Sequence, residues 1–187
     1  MRDYVRLTGI LLIICLIAAV LLGLTNSITH DKIQEQIAKA NDEARAEVLP
    51  AAREFNKVEY SNPNLTTVVE VYEGKTDGNL TGYAVKVAPK GYGGLIEIIV
   101  GIDTNGVVQG IKVGNNNETP GLGKNAASPG YQNQYKGKTI DNEISVIKNG
   151  TPKENEIVAI AGSTITSKGV TNGVNEAMAA VKELLNK

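Results

Sequence analysis

The sequence predicts an α+β protein in which an N-terminal transmembrane helix precedes one domain built on an antiparallel sheet with flanking helices. Three observations carry that prediction. Residues 7–24 form an uncharged apolar run, roughly the minimum length that spans a bilayer as a helix. Between 67 and 160, short runs rich in Val, Ile and Tyr are separated by Gly, Asn and Asp, the spacing of strands and turns. After Thr166, the residues Val170, Val174, Ala177, Val181 and Leu184 fall on one helical face. At 187 residues with 42% hydrophobic content, the chain has room for the anchor and one modest core, not for two large domains.

Arg2 and Arg6 stand before the apolar run, and its far side opens with Thr25, Asn26 and Ser27 before Asp31 and Lys32. Basic residues mark the cytoplasmic flank, so residues 1–6 are expected inside, 7–24 across the membrane, and the remainder outside. A cleaved signal peptide has a shorter apolar core ending in a small-x-small site, and no convincing site follows this one. A lipoprotein anchor needs a small residue before its cysteine, whereas Ile14 precedes Cys15; a pilin-type helix needs an acidic residue early in the run, and none is present.

Ile28, Ile33, Ile37, Ala40, Ala44 and Val48 recur every three to five residues among Asp, Lys, Glu and Gln, close to an amphipathic period. Residues 25–60 are therefore expected to form a connecting helical segment that lays one stripe on the domain, which occupies 61–187. Pro50 and Pro63 punctuate this region, and the first strands are expected at 67–72 and 80–88. The runs 95–102 and 107–113 flank Asp103-Thr104-Asn105-Gly106, and Asn-Gly between apolar runs predicts a hairpin because both residues tolerate positive φ. Residues 114–137 are irregular, and long irregular segments in compact domains are more often functional than accidental. Strand-like composition resumes at 143–147 and 156–160, and Thr166 or Ser167 is the expected N-cap of the last helix.

Composition narrows the chemistry. Lys and Arg total 19 against 20 Asp and Glu, a net charge of -1, without the basic surface that a phosphate backbone recruits, so no nucleic-acid partner is expected. Cys15 is the single cysteine and His30 the single histidine, which excludes zinc-finger, haem-attachment and iron–sulfur spacings. No metal site is expected, and redox chemistry in this chain requires an organic cofactor.

The passage 161–170 sets Ala161, Gly162, Ser163, Thr164, Ile165, Thr166, Ser167, Lys168 and Gly169 between a strand and a helix. Small residues let a phosphate approach the backbone, and a helix start offers unpaired N–H groups and a positive dipole end. Ser and Thr before a helix are also common caps, so both readings stand on the residues alone. Upstream, Asn117-Glu118-Thr119-Pro120-Gly121-Leu122-Gly123 would make a rigid, close-approaching backbone ledge able to cover a flat ring, or else an ordinary Pro-Gly turn. Tyr83, Tyr92, Tyr131 and Tyr135 could stack on such a ring or fill core and rim positions.

These two stretches carry a family resemblance. Ala161-Gly162-Ser163-Thr164, then Ile165, Thr166-Ser167 and Val170-Thr171-Asn172-Gly173-Val174 resemble the flavin-attachment motif of the FMN-binding subunits of Rnf and sodium-pumping NADH:quinone reductase complexes, closest to the G subunit of Rnf. That motif commonly reads Ser-Gly-Ala-Thr, so Ala161 and Ser163 depart from it, and the acidic residue often found just upstream has Glu156 as its nearest candidate. The stretch 118–123 resembles the family's Glu-Thr-Pro-Gly-Leu-Gly loop, and Gly91-Tyr92-Gly93-Gly94 with the following strand resembles its central hairpin. The similarity covers nearly the whole chain.

The resemblance implies FMN joined covalently through a phosphoester to Thr164, installed by a separate flavin transferase using FAD. Gly162, Ser163, Thr166, Ser167 and Lys168, with Glu118, Thr119, Gly121, Leu122 and Gly123, are then the expected cofactor-binding residues. No catalytic residue is expected, because the chain would position and tune an electron carrier rather than transform a substrate. It implies a single-pass protein of the cell membrane, with other membrane subunits as partners, relaying electrons between ferredoxin and NAD sides with coupled ion translocation. The alternatives are the equivalent component of the sodium-pumping quinone reductase, a stand-alone extracytoplasmic FMN-binding protein, and a non-redox anchored surface module.

Overall fold

A computed structural model describes residues 2–186. The chain divides into two compact units, one ending at Asp42 and one beginning at Glu43. The first is made by helix α1, Arg2–Val48, whose last turn belongs to the second unit. Its apolar stretch is long enough to cross a membrane, and none of that stretch is buried within the chain. Where the run turns polar the helix continues, and the Thr25 and Thr29 hydroxyls donate back to the Leu21 and Thr25 carbonyls at 2.8 Å.

The helix stops at Val48, just before Pro50, since proline disfavours helical geometry at the residue preceding it and supplies no N–H. The expected connecting helix over 25–60 is thus too long. Residues Glu54–Val58 instead form an edge strand, β1. Ile28, Ile33 and Ile37 are exposed, and only Ala44, Arg45 and Val48 of α1 are buried.

The second unit is a five-stranded antiparallel sheet in the order β1-β2-β3-β4-β5, with β2 at Val68–Thr76, β3 at Asn79–Val87, β4 at Ile96–Asp103 and β5 at Val108–Asn116. Asp77 (φ 53°) and Gly78 (φ 80°) close the β2–β3 hairpin between paired Thr76 and Asn79, the mirror-image turn whose twist matches the strands. At the β4–β5 turn only Gly106 takes positive φ, 74°. There the Asp103 carboxylate accepts from the Asn105 and Val107 N–H groups at 2.8 and 3.0 Å. Asn105 therefore serves this turn without leaving the ordinary φ range.

Strand β4 is buried along nearly its whole length because both faces of the sheet are covered. On one face Ile98, Val100 and Ile102 join Val85, Val87 and Val113 beneath Val170, Val174, Ala177, Met178 and Val181. Those last residues belong to the C-terminal helix α3, Thr164–Leu185. Each fully buried Val or Ile contributes roughly 1.5–3 kcal/mol of transfer free energy, so this face dominates the domain's stability. On the other face Ile99 and Ala84 meet Ala44 and Val48, with Tyr72 and Phe55 alongside. The Arg45 guanidinium lies 4.1 Å from the Tyr72 ring centre, a cation–π contact.

The irregular stretch after β5 contains a 3-10 turn at Gly123–Ala127 and a short helix α2, Pro129–Gln132. Two three-residue strands, β6 (Ser145–Ile147) and β7 (Glu156–Val158), pair in parallel. From β7 the chain turns directly into α3.

Two outcomes test this packing. A Cβ on Gly101 would lie 2.6 Å from the Val48 carbonyl carbon, whereas one on Gly110 finds nothing nearer than 3.6 Å. In the purified full chain, Gly101→Ala should lower unfolding stability by about 1–3 kcal/mol, while Gly110→Ala should change it by less than about 1 kcal/mol. Second, the Tyr60 hydroxyl donates to Glu183 at 2.8 Å, and burial, then that carboxylate, push its pKa from 10.0 up to about 12. The protonated phenol is thus favoured in the folded state, a contribution complete below pH 10 and lost as pH rises through about 12. The melting-temperature advantage of wild type over Tyr60→Phe should shrink across that window.

Candidate functional site

The chain leaves β7, turns at Ala161 and Gly162, and enters α3 at Thr164. Gly162 has φ 72°, a left-handed conformation that costs a side-chain-bearing residue most where it is branched. The Ser163 N–H donates to Ile160 O at 2.9 Å, closing the turn. The helix therefore starts earlier than Thr166 or Ser167, with Ser163 at the cap position.

The hydroxyls expected to cap serve other purposes. Ser167 is fully buried; its Oγ donates to Ser163 O at 3.0 Å and accepts from the Ile160 N–H at 3.0 Å. Ser163 makes no side-chain cap bond. The first turn of α3 is thus a helix start whose leading N–H groups have no intrahelical acceptor and no side-chain cap.

Below this turn runs a chain of buried hydroxyls. Tyr131 and Tyr135 lie 2.9 Å apart at their oxygens, Tyr135 lies 2.8 Å from Thr171 Oγ1, and Thr171 donates to Ser167 O at 2.9 Å. Each hydroxyl has one hydrogen, so the Thr171 bond makes Tyr135 the donor to Thr171, while Tyr131 has both the Tyr135 oxygen at 2.9 Å and Ser167 O at 3.4 Å as acceptors. Burial holds both phenols above their usual pKa, Tyr135 the more strongly, which keeps these donors protonated. Tyr83, Tyr131 and Tyr135 are core residues, and Tyr92 is the exposed one.

A cleft of about 500 Å³ opens over the first turn of α3, within the roughly 300–1,000 Å³ of small-molecule sites. Its floor is Gly162, Ser163, Thr164, Ile165 and Thr166, and its wall is Glu118, Thr119, Leu122 and Gly123, with Tyr92 at the rim. The two segments touch: a Cβ on Gly162 would lie 3.1 Å from Leu122 Cδ2. Glu118 ties them together, accepting from Thr166 Oγ1 at 2.5 Å and from the Gly93 N–H at 2.8 Å. Tyr92, Leu122 and Ile165 are exposed at 72%, 42% and 58%, an apolar frame open to solvent and suited to a flat ring.

Most of the expected site residues therefore converge. Gly121 instead shapes the loop, with φ 77° and its carbonyl accepting from Asn125 Nδ2 at 3.0 Å. Ser167 lies buried beneath the turn. Lys168 lines a separate cleft with Ile144, Val146, Thr171, Asn172 and Asn175, four residues and about 6 Å along the helix axis from Thr164. Glu156 accepts from the Lys153 N–H at 2.9 Å and takes no part in the cleft lining. Tyr92 is the one of the four tyrosines considered for stacking that lines the cleft, at its rim. Among the described residues, no cluster of His, Cys, Asp and Glu could hold a metal ion.

The chain is similar to known proteins along most of its length. Residues 91–179, which contain both cleft segments, match the FMN-binding domain model, and residues 2–48 match the RnfG N-terminal region. The chain is 42% identical to the G subunit of the Na(+)-translocating ferredoxin:NAD(+) oxidoreductase complex of Acetobacterium woodii, over 96% of this chain and 92% of that one. It is 35% identical to the G subunit of the Proton-translocating ferredoxin:NAD(+) oxidoreductase complex of Clostridium ljungdahlii, over 94% and 90%. Its fold resembles the C subunit of the Na(+)-translocating NADH-quinone reductase of Parabacteroides distasonis, with a TM-score of 0.58 and 23% identity over 73% of this chain and 79% of that one. It also resembles Shewanella oneidensis NqrC, at 0.56 and 21% over 67% and 70%. With an apolar helix that suits a membrane protein and an FMN-binding domain behind it, the chain belongs to the RnfG family, the G subunits of Rnf ion-translocating oxidoreductase complexes.

Proposed function

We propose that this chain is a membrane-anchored electron carrier of an Rnf-type complex, with FMN held covalently through a phosphoester to Thr164 Oγ1. The observation that carries the reading is the position of Thr164: it opens an uncapped helix and lines the same cleft as the Glu118–Gly123 loop. A phosphoryl group on its hydroxyl would sit against the free N–H groups and positive dipole end of α3. The isoalloxazine ring would lie in the frame of Tyr92, Leu122 and Ile165. When bound, FMN supplies the one- and two-electron chemistry that no side chain here provides.

The chain's own residues then have distinct tasks. Gly162 lets the backbone pass beneath the phosphate, Thr166 and Glu118 fix the loop to the helix, and Thr119 and Ser163 border the polar part of the cleft. Lys168 is not assigned to the phosphate, since it lines a different cleft. Attachment from FAD by a flavin transferase forms the Thr164 oxygen–phosphorus bond, with AMP as leaving group and the hydroxyl proton passing to solvent. Arg2 and Arg6 ahead of the apolar helix support a cytoplasmic N-terminus and an extracytoplasmic domain. Outside the cell a dissociating cofactor would be lost, which gives covalent attachment its advantage.

The neighbouring membrane subunits would donate and accept the electrons, linking ferredoxin oxidation and NAD reduction to ion movement. The full chain co-expressed with a flavin transferase, purified in detergent, denatured and weighed should gain the mass of an FMN phosphoryl group and stay yellow. Thr164→Val should lose both. An unmodified, colourless wild-type chain would instead favour a non-redox anchored surface module, and flavin absorbance without added mass would mean noncovalent binding.

A further inference from the structure

Glu118 is the one charged side chain among the described residues that line the cleft, and it is 3% exposed. Both its oxygens accept hydrogen bonds, one from the Gly93 backbone and one from Thr166 Oγ1, at 2.8 and 2.5 Å. A carboxylate, with acceptor capacity at both oxygens, satisfies both contacts. Room for it exists because two neighbours lack side chains: a Cβ on Gly91 or on Gly123 would run into its oxygens. The charge is thus fixed in position by packing on two sides and by donors from two separate elements. A buried charge held by neutral donors keeps most of its field, since solvent screens it little.

Resting on the flavin-carrier reading, we propose that Glu118 is the residue that sets the cofactor's reduction potential, holding it low by presenting a fixed negative charge to the ring. Each electron that arrives without a proton adds one negative charge to the ring, and the carboxylate opposes that charge. Gly93 and Thr166 moderate the effect by donating into the carboxylate, so the strength of the field depends on those two bonds. Glu118 is accordingly a tuning residue, distinct from the attachment point at Thr164.

The test uses the flavin-loaded full chain in detergent, titrated spectroscopically against redox dyes, with melting temperatures of the flavin-free chains as a control on folding. E118Q keeps the shape, its amide oxygen accepting from Gly93 and its NH2 donating to Thr166, while removing the charge. Its equilibrium with a fixed dye should move on the order of tenfold toward reduced flavin. Thr166→Val removes a donor and leaves the carboxylate, so it should move the same equilibrium by a smaller factor toward oxidised flavin.

Opposite shifts in the two variants support the proposal, because a merely structural role would perturb both in one direction. An unchanged potential in loaded E118Q, or shifts of the same sign, overturns it and leaves the carrier reading intact. Folded E118Q that takes up no flavin overturns it in favour of a role in loading. If E118Q fails to fold, Thr166→Val decides alone: a shift toward oxidised flavin supports the proposal, and no shift or the reverse overturns it. A wild-type chain without flavin overturns the carrier reading, and this one with it.

Discussion

Burial of β4 on both faces is the constraint from which the rest of the domain follows. A strand with Ile98, Val100 and Ile102 on one side and Ile99 on the other has no face left for water. Two covers are therefore required, and the chain provides α3 for one and the last turn of α1 for the other. Because α3 must lay Val170, Val174, Ala177 and Val181 on the sheet, its axis is fixed, and with it the place where its first turn ends. The site is where that turn emerges beside the loop after β5.

The two covers differ in kind. The α3 face is filled by large aliphatic side chains that interdigitate, in the manner of any close-packed core. The α1 face depends on missing side chains: Gly101 lets the backbone of Val48 come down onto the sheet. The first arrangement tolerates redistribution of volume among its members, whereas at Gly101 the second sets backbone against backbone and has no such slack.

Much of this was legible in the residues. The apolar run at 7–24, the four long strands and the face of α3 follow from periodicity, which reports on burial directly. The convergence of 118–123 with 162–166 was accessible through a resemblance and not through spacing, since Glu118 and Thr166 stand 48 residues apart and only tertiary packing unites them. Three points were hidden for specific reasons. The end of α1 at Val48 is set by Pro50, although the connecting helical segment was expected to run on to residue 60. The start of α3 is set by the turn at Gly162, so the hydroxyls of Thr166 and Ser167 look like caps while bonding to a carboxylate and to the preceding turn. Lys168 has the right sequence neighbours for a phosphate contact, but the fold sets it in the lining of another cleft.

The uncapped beginning of α3 also bears on the attachment proposed above. A helix end without a side-chain acceptor opens more readily than the helix body, and here the body is pinned by the Tyr131–Tyr135–Thr171 hydroxyls and by the sheet beneath. The first turn is itself held, at Thr166 by Glu118 and at Ser163 by Ser167, so Thr164 keeps its place at the cleft. On the carrier reading proposed above, its hydroxyl would meet a transferase at the mouth of that cleft, with no need for the domain to unfold.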